Sequence, residues 1–203
     1  MNMKSKFLIF CCSLLLLLSC QQQERSYSPE IMHAAMEEGG YIVKESFKAL
    51  SGELKEQVKT GGIAAAIDYC HLNAYPLTDS LSKEYDVKIK RTSLKLRNPA
   101  NVPDSLERIV LEEYAKVLAS GDEIHPIAEQ VGKNIRFFAP IILDKPLCLN
   151  CHGEVGKFIN QDDHALIKEA YPRDKAIDYN LGDLRGMWSL EFSGDEFEAS
   201  PGQ

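Results

Sequence analysis

No stretch of this chain limits its possible folds more than Cys148-Leu149-Asn150-Cys151-His152-Gly153. Two cysteines three positions apart with a histidine directly after them are the attachment signature of c-type haem. The spacing follows from the chemistry. Two thiols one short turn apart can each add to a haem vinyl group, and the next residue brings an imidazole under the iron. A chain carrying such a group must reserve an apolar cleft for a flat macrocycle. Gly153 is consistent with backbone lying close beside that ring. The same residues are also compatible with half a zinc site, a thioredoxin-like redox pair or coincidence. Zinc of this style needs a second ligand pair at suitable spacing, and none appears. A redox pair does not require the histidine.

Covalent haem attachment takes place outside the cytoplasm, and the N-terminus reads as an export signal. Lys4 and Lys6 precede an apolar run from Phe7 to Leu18. That run is short for a bilayer span and suits the core of a signal peptide. It ends in Leu17-Leu18-Ser19-Cys20, which resembles a bacterial lipobox with cleavage before a lipidated Cys20. An ordinary signal peptide cut elsewhere is the plainer alternative. Two or three acyl chains would make a stable anchor. The expected organisation is a signal peptide over 1–19, a lipidated tether over 20–28, one domain over 29–193 and a flexible tail over 194–203. The protein is expected in the bacterial cell envelope.

Of six cysteines, Cys11 and Cys12 leave with the leader, Cys20 takes lipid, and Cys148 and Cys151 take haem. Cys70 is left over, which in an oxidising compartment calls for an explanation. Without Lys4 and Lys6, the 23 basic residues fall to 21 against 30 acidic ones, a balance of −9. Such a surface argues against nucleic acid as a partner. It suits a basic electron-transfer partner, and it is also a common route to solubility.

Ser28-Pro29-Glu30 looks like a helix N-cap with proline at the first position. An amphipathic segment follows, with a possible break at Gly39-Gly40, and a polar helix over 51–60 is expected to stop at Gly61-Gly62. Ile63, Ala66, Ile67, Cys70 and Ala74 then share one helix face. Cys70 is on the buried side, either as a small hydrophobe or as an iron ligand. Pro76 is expected to kink or end this helix. Val87 to Thr92 alternates as a strand, 94–101 forms a loop, and a helix runs from Pro103 to Ser120. Its inward residues are expected to be Leu106, Ile109, Val110, Tyr114, Val117 and Leu118. Strands over 126–131 and 134–142 flank a Gly132-Lys133 turn. Phe137 and Phe138 point to opposite faces, one of them a candidate lining for the haem cleft. A helix over 162–171 and a strand over 186–192 complete an α+β fold with an antiparallel sheet.

Ile67-Asp68-Tyr69-Cys70, Arg91-Thr92-Ser93, Arg97-Asn98-Pro99-Ala100-Asn101, Pro103-Asp104, Tyr171-Pro172 and Gly182-Asp183-Leu184-Arg185-Gly186 occur in this order around the Cys148–Gly153 motif. With them the chain resembles a family of periplasmic PAS-like domains that carry c-type haem, catalogued as a domain of unknown function and often found in front of sensor kinases. The resemblance spans roughly residues 30 to 193. It implies a PAS-like sheet with helices, haem c in its cleft, and an axial pair matching His152 and Cys70. His71 adjoins Cys70 and offers imidazole as an alternative distal ligand. Met32, Met36, Met187, His33, His125 and His164 are weaker candidates. Arg91 and Arg97 can hold haem propionates by charge-assisted hydrogen bonds, or they can cap strand and loop carbonyls. Asp183 and Arg185 read most simply as a turn and a surface pair.

Two axial ligands leave no position for substrate, which argues against a resting enzyme. A peroxidase-like activity would need an open distal pocket with a base such as His71. The remaining readings are a redox or diatomic-gas sensor acting through a partner protein, and a simple electron carrier.

Overall fold

The computed structural model describes residues 26–199. The leader with Cys11 and Cys12, the lipobox cysteine Cys20 and residues 200–203 lie outside the described residues. The element order is α1 (Pro29–Glu84), β1 (Lys88–Thr92), a 3₁₀ turn (Pro99–Asn101), α2 (Ser105–Ala119), β2 (Ile127–Val131), β3 (Asn134–Ile142), α3 (Pro146–His152), α4 (Gln161–Ala170), β4 (Leu184–Ser193) and α5 (Gly194–Ala199). The strands form one antiparallel sheet in the order β1-β4-β3-β2. This is the α+β, PAS-like arrangement expected from the sequence.

The long α1 is two arms. Ser28 caps the first, its side chain accepting from the Ile31 N–H, with Pro29 directly after it. Gly62 has φ 72° and ψ −165°, which breaks the helix, and only glycine takes such a conformation readily. A straight helix would hold Tyr41 and Tyr85 about 66 Å apart at 1.5 Å per residue. Their rings instead meet edge to face at 6.3 Å, so the second arm folds back along the first. The expected stop at Gly61-Gly62 is therefore present, whereas Gly39-Gly40 and Pro76 do not interrupt the helix. Gly39 has a packing reason: a Cβ there would sit 2.4 Å from the Phe137 ring.

Both sheet faces are covered. Ala35, Ile42 and Leu81 of α1 bury Ile135, Phe137, Ala139, Trp188, Leu190 and Phe192. On the other face Val110, Leu111 and Tyr114 of α2 bury Phe138 and Met187. Phe138 thus packs under α2 rather than lining a cleft. The inward face of α2 is also rotated from the expected one, because Ile109 is 63% exposed and Leu111 is fully buried. The rotation suits an ion cluster: Glu107 is buried and accepts from Lys90 Nζ and Arg136, while Asp104 caps the helix through the Glu107 N–H. The described part of the segment expected as a flexible tail is helical instead. Residues 194–199 form α5, whose Phe197 ring meets Phe192 at 5.4 Å.

Candidate functional site

A cavity of about 310 Å³ opens between the two arms of α1 and the end of the sheet where β1 and β4 meet. The first arm contributes Leu50, Leu54 and Val58, spaced four apart so that one stripe faces inward. From the second arm come Ile67, Cys70 and His71, and from α3 come Leu147, Cys151 and His152. Arg91, Arg97, Tyr171, Arg185 and Trp188 complete the wall. The fold therefore gathers Cys70, Cys151 and His152 from two distant parts of the chain at one place. Cys148 is not on this wall; it is partly buried against Leu143, Leu149, Ala176 and Tyr179, one turn back on α3. Cys70, Cys148 and Cys151 are all free thiols.

Proline at the start of α3 fixes the entry to the motif helix, and its end is closed by the Gly153 N–H donating to Leu149 O. Gly153 does not make room for a ligand. A Cβ there would meet Leu149 O and Phe158 Cβ at 2.8 Å, so the residue is small because its own loop packs on it.

His152 is oriented by one bond. Its Nδ1 lies 2.8 Å from Ala176 O, which makes Nδ1–H the donor and leaves Nε2 as the acceptor, met only by Arg185 Nε at a long 3.5 Å. Burial, together with the cations of Arg185 and Arg97, holds the imidazole well below its ordinary pKa. It is a neutral base, the form in which histidine ligates a metal. Burial also pushes the Cys151 thiol up, to about 11. Cys70 is raised by burial as well, against the opposing pull of Arg91 and Arg97. His71 is largely exposed at the cavity mouth, its ring edge-on to Tyr171 at 5.1 Å.

The arginines differ in what holds them. Arg97 donates from Nε and a terminal nitrogen to the two oxygens of Asp174, each at 3.2 Å, and also to the carbonyls of Cys151 and Ala176. It clasps the motif helix to the 174–176 loop, which is the carbonyl-capping alternative. Arg91 lies over Trp188 at 5.6 Å and donates to Ala74 O at 3.4 Å. Arg185 is not a surface pair: it points inward, its Nε 3.5 Å from His152 Nε2 and its guanidinium over Tyr179. Asp183 accepts from the Asn180 N–H as a turn residue.

Sequence reasoning missed Arg185, Asp174, Ala176 and Tyr179. Only the Gly182–Gly186 segment carried any signal, through its place in the family pattern. Of the weaker candidates, Met187 is buried under α2, and His33 and His125 face Glu37 and Glu123 at the surface. Among the described residues no three His, Cys, Asp or Glu side chains converge to hold a bare metal ion.

A family model described as Tll0287-like matches residues 21–193. The solved structure of the cyanobacterial heme-protein Tll0287 superposes with a TM-score of 0.54 at 21% identity, covering 77% of this chain and 95% of that one. At that identity the likeness establishes a shared fold. No curated protein matches the chain.

Proposed function

The chain belongs to the Tll0287-like family, and from that premise we propose that it is a covalent c-type haem protein of the cell envelope. In this reading Cys148 and Cys151 form the thioethers, His152 and Cys70 are the axial ligands, and the protein acts as a redox or diatomic-gas sensor. The observation that carries it is the bond from His152 Nδ1–H to Ala176 O, which leaves Nε2 unprotonated and met only by a long 3.5 Å contact from Arg185 Nε, on a side chain that lines one cavity with Cys70. The structural relative's description as a heme-protein supports the same reading.

Cys151, His152, Cys70 and the basic wall fit such a group, while Cys148, packed one turn back on α3, would have to turn toward it. One imidazole and one thiol on separate elements are too few for a bare ion. They suit a metal whose other positions are filled by a macrocycle. The remaining wall is mostly apolar, with the cations of Arg91, Arg97 and Arg185 and neutral polar groups such as Thr92, Ser93, Asn98 and Asn101 among it, which suits a flat ring with acidic substituents. Bound haem supplies a one-electron couple. The chain does the rest: Ala176 O orients His152, the α1 stripe of Leu50, Leu54 and Val58 excludes water, and Cys70 offers its sulfur from the second arm. Near the end of that arm Leu81 packs in the sheet core with Val87 and Ile89, so a displacement at Cys70 has a mechanical route to β1. This route supports sensing through a separate signalling partner. Two protein ligands on the iron would leave no position for substrate, which argues against an enzyme, and the acidic balance argues against nucleic acid as a partner. The same acidity favours a second reading, an electron carrier docking a basic redox partner. Cys20 acylation would hold the domain at a membrane.

Haem staining after denaturing electrophoresis tests the attachment. Wild type should stain and Cys148→Ser/Cys151→Ser should not; an unstained wild type rejects the reading. Ferric electron spin resonance should show a low-spin thiolate signal that Cys70→Ala removes. Spectra insensitive to Cys70→Ala but lost in His71→Ala reassign the ligand. A thiolate-bound protein whose ferrous form refuses carbon monoxide and nitric oxide is an electron carrier.

A further inference from the structure

The cations in and just behind the cavity wall fall into two groups. Arg97 has a buried carboxylate, Asp174, gripping it from two nitrogens. Lys95 donates to Ile177 O and lies over Tyr179 at 4.3 Å. Arg91 and Arg185 have no carboxylate in ion-pair range among the described residues. Their bonds to protein are long: 3.4 Å to Ala74 O for Arg91, and 3.5 Å to His152 Nε2 and 3.3 Å to Lys95 O for Arg185. Each guanidinium has an aromatic ring at its back, Trp188 for Arg91 and Tyr179 for Arg185. A cation surrounded by protein without a counter-charge is costly. Two of them facing one cavity are explained by negative charge arriving with the ligand. The Cys70 sulfur accounts for at most one charge, and it acts with Arg91 and Arg97 rather than with Arg185. A ring-backed guanidinium also presents a fixed planar fork, the geometry that takes a carboxylate through two parallel bonds.

We propose that Arg91 and Arg185 are the carboxylate-binding residues of the cavity, each holding one propionate of the haem, and that Arg97 is a clasp of the protein on itself. The assignment rests on the haem reading above. It takes Arg97 out of the ligand's shell and puts Arg185, a residue beside the proximal histidine, into it.

The test is resonance Raman spectroscopy of the haem-loaded protein, read at the propionate-bending bands. Arg91→Gln and Arg185→Gln should each move one band and the double variant both, while Arg97→Gln should leave both bands in place and lower thermal stability. Arg91→Lys and Arg185→Lys keep charge and lose the fork, so they should give smaller shifts in the same direction. Should the Gln variants not fold, the Lys pair decides alone. A haem-stained double variant with both bands at wild-type positions overturns the assignment. So do bands that move only in Arg97→Gln. A wild type without haem stain sinks the underlying reading as well, and is told apart because it appears before any arginine is changed.

Discussion

Replacing Asp174 by alanine strips the counter-charge from Arg97. The carboxylate is fully buried, with 0% of its side chain exposed against 13% for Arg97, and it accepts two bonds of 3.2 Å from the guanidinium and one of 2.8 Å from the Ala176 N–H. Breaking a buried pair from one side leaves an uncompensated charge and costs about 3–5 kcal/mol. That is a fifth or more of the roughly 5–15 kcal/mol by which a folded domain is stable. At about 2–4 °C per kcal/mol for a chain of this size, the melting temperature should fall by roughly 6–20 °C. Asp79 is the control. Its bond to Lys83 is shorter, at 2.7 Å, but the two side chains are 54% and 76% exposed, and Asp79→Ala should cost only about 0.3–0.5 kcal/mol. Urea unfolding followed by far-ultraviolet circular dichroism measures both. The reasoning also requires partial recovery in Arg97→Met/Asp174→Ala, where no charge is stranded. A loss below about 1 kcal/mol for Asp174→Ala, or a double variant as unstable as the summed singles, would refute it. A local consequence is expected too: the 174–176 loop orients His152, so amide exchange at Ala176 should quicken in Asp174→Ala.

Three further outcomes are expected. Gly39→Ala should lose about 1–3 kcal/mol, because its methyl would overlap Phe137, whereas Gly40→Ala, with nothing near, should gain roughly 0.5–1 kcal/mol of helix stability; equal behaviour in urea unfolding contradicts the packing account. Partial burial pushes the Asp104 carboxyl up, but the Glu107 N–H and Arg136 outweigh it and hold the group below its usual range. A depressed folded pKa adds stability that is present above the unfolded value and lost as pH falls through the folded one. Asp104→Asn should therefore destabilise the protein at neutral pH and flatten the acid limb of its stability curve, and an unchanged acid limb contradicts this. Finally, Cys20→Ala should abolish acyl labelling and release the protein from the membrane fraction without detergent; retained label and retained membrane association count against lipidation.

Local chemistry made parts of this molecule readable in advance. Asn134–Ile142 stands where a turn glycine and a β-rich run place it, and the fold-back at Gly62 follows from a residue suited to positive φ. The inward placing of Cys70 on the second arm was legible because helical phase fixes it, and the Cys148–Gly153 stretch stands out because its spacing is chemically unusual. What stayed hidden depends on tertiary partners. Ile109 reads as inward by residue type, yet Glu107 is the residue pulled inward by Lys90 and Arg136. Gly39 looks like a helix breaker until Phe137 is seen pressing on it. Arg185 looks like a surface charge until β4 carries it to His152. Asp174 and Ala176 lie in an irregular loop whose roles exist only through Arg97 and the imidazole.

The first arm of α1 also sets a distance. Between Pro29 and Phe47, where the cavity lining begins, the helix rises about 27 Å, and by Gly62 about 50 Å. Whatever fixes the chain upstream of Ser26 therefore holds the domain at the end of this arm that lies away from the cavity. With Cys20 acylated as proposed and the first arm upright on the membrane, the cavity mouth would stand off from the lipid headgroups by a length comparable to a small domain. Exchange with a carrier dissolved in the bilayer would have to cross that gap. A soluble partner, or one that projects its own domain from the membrane, meets the cavity at its own height.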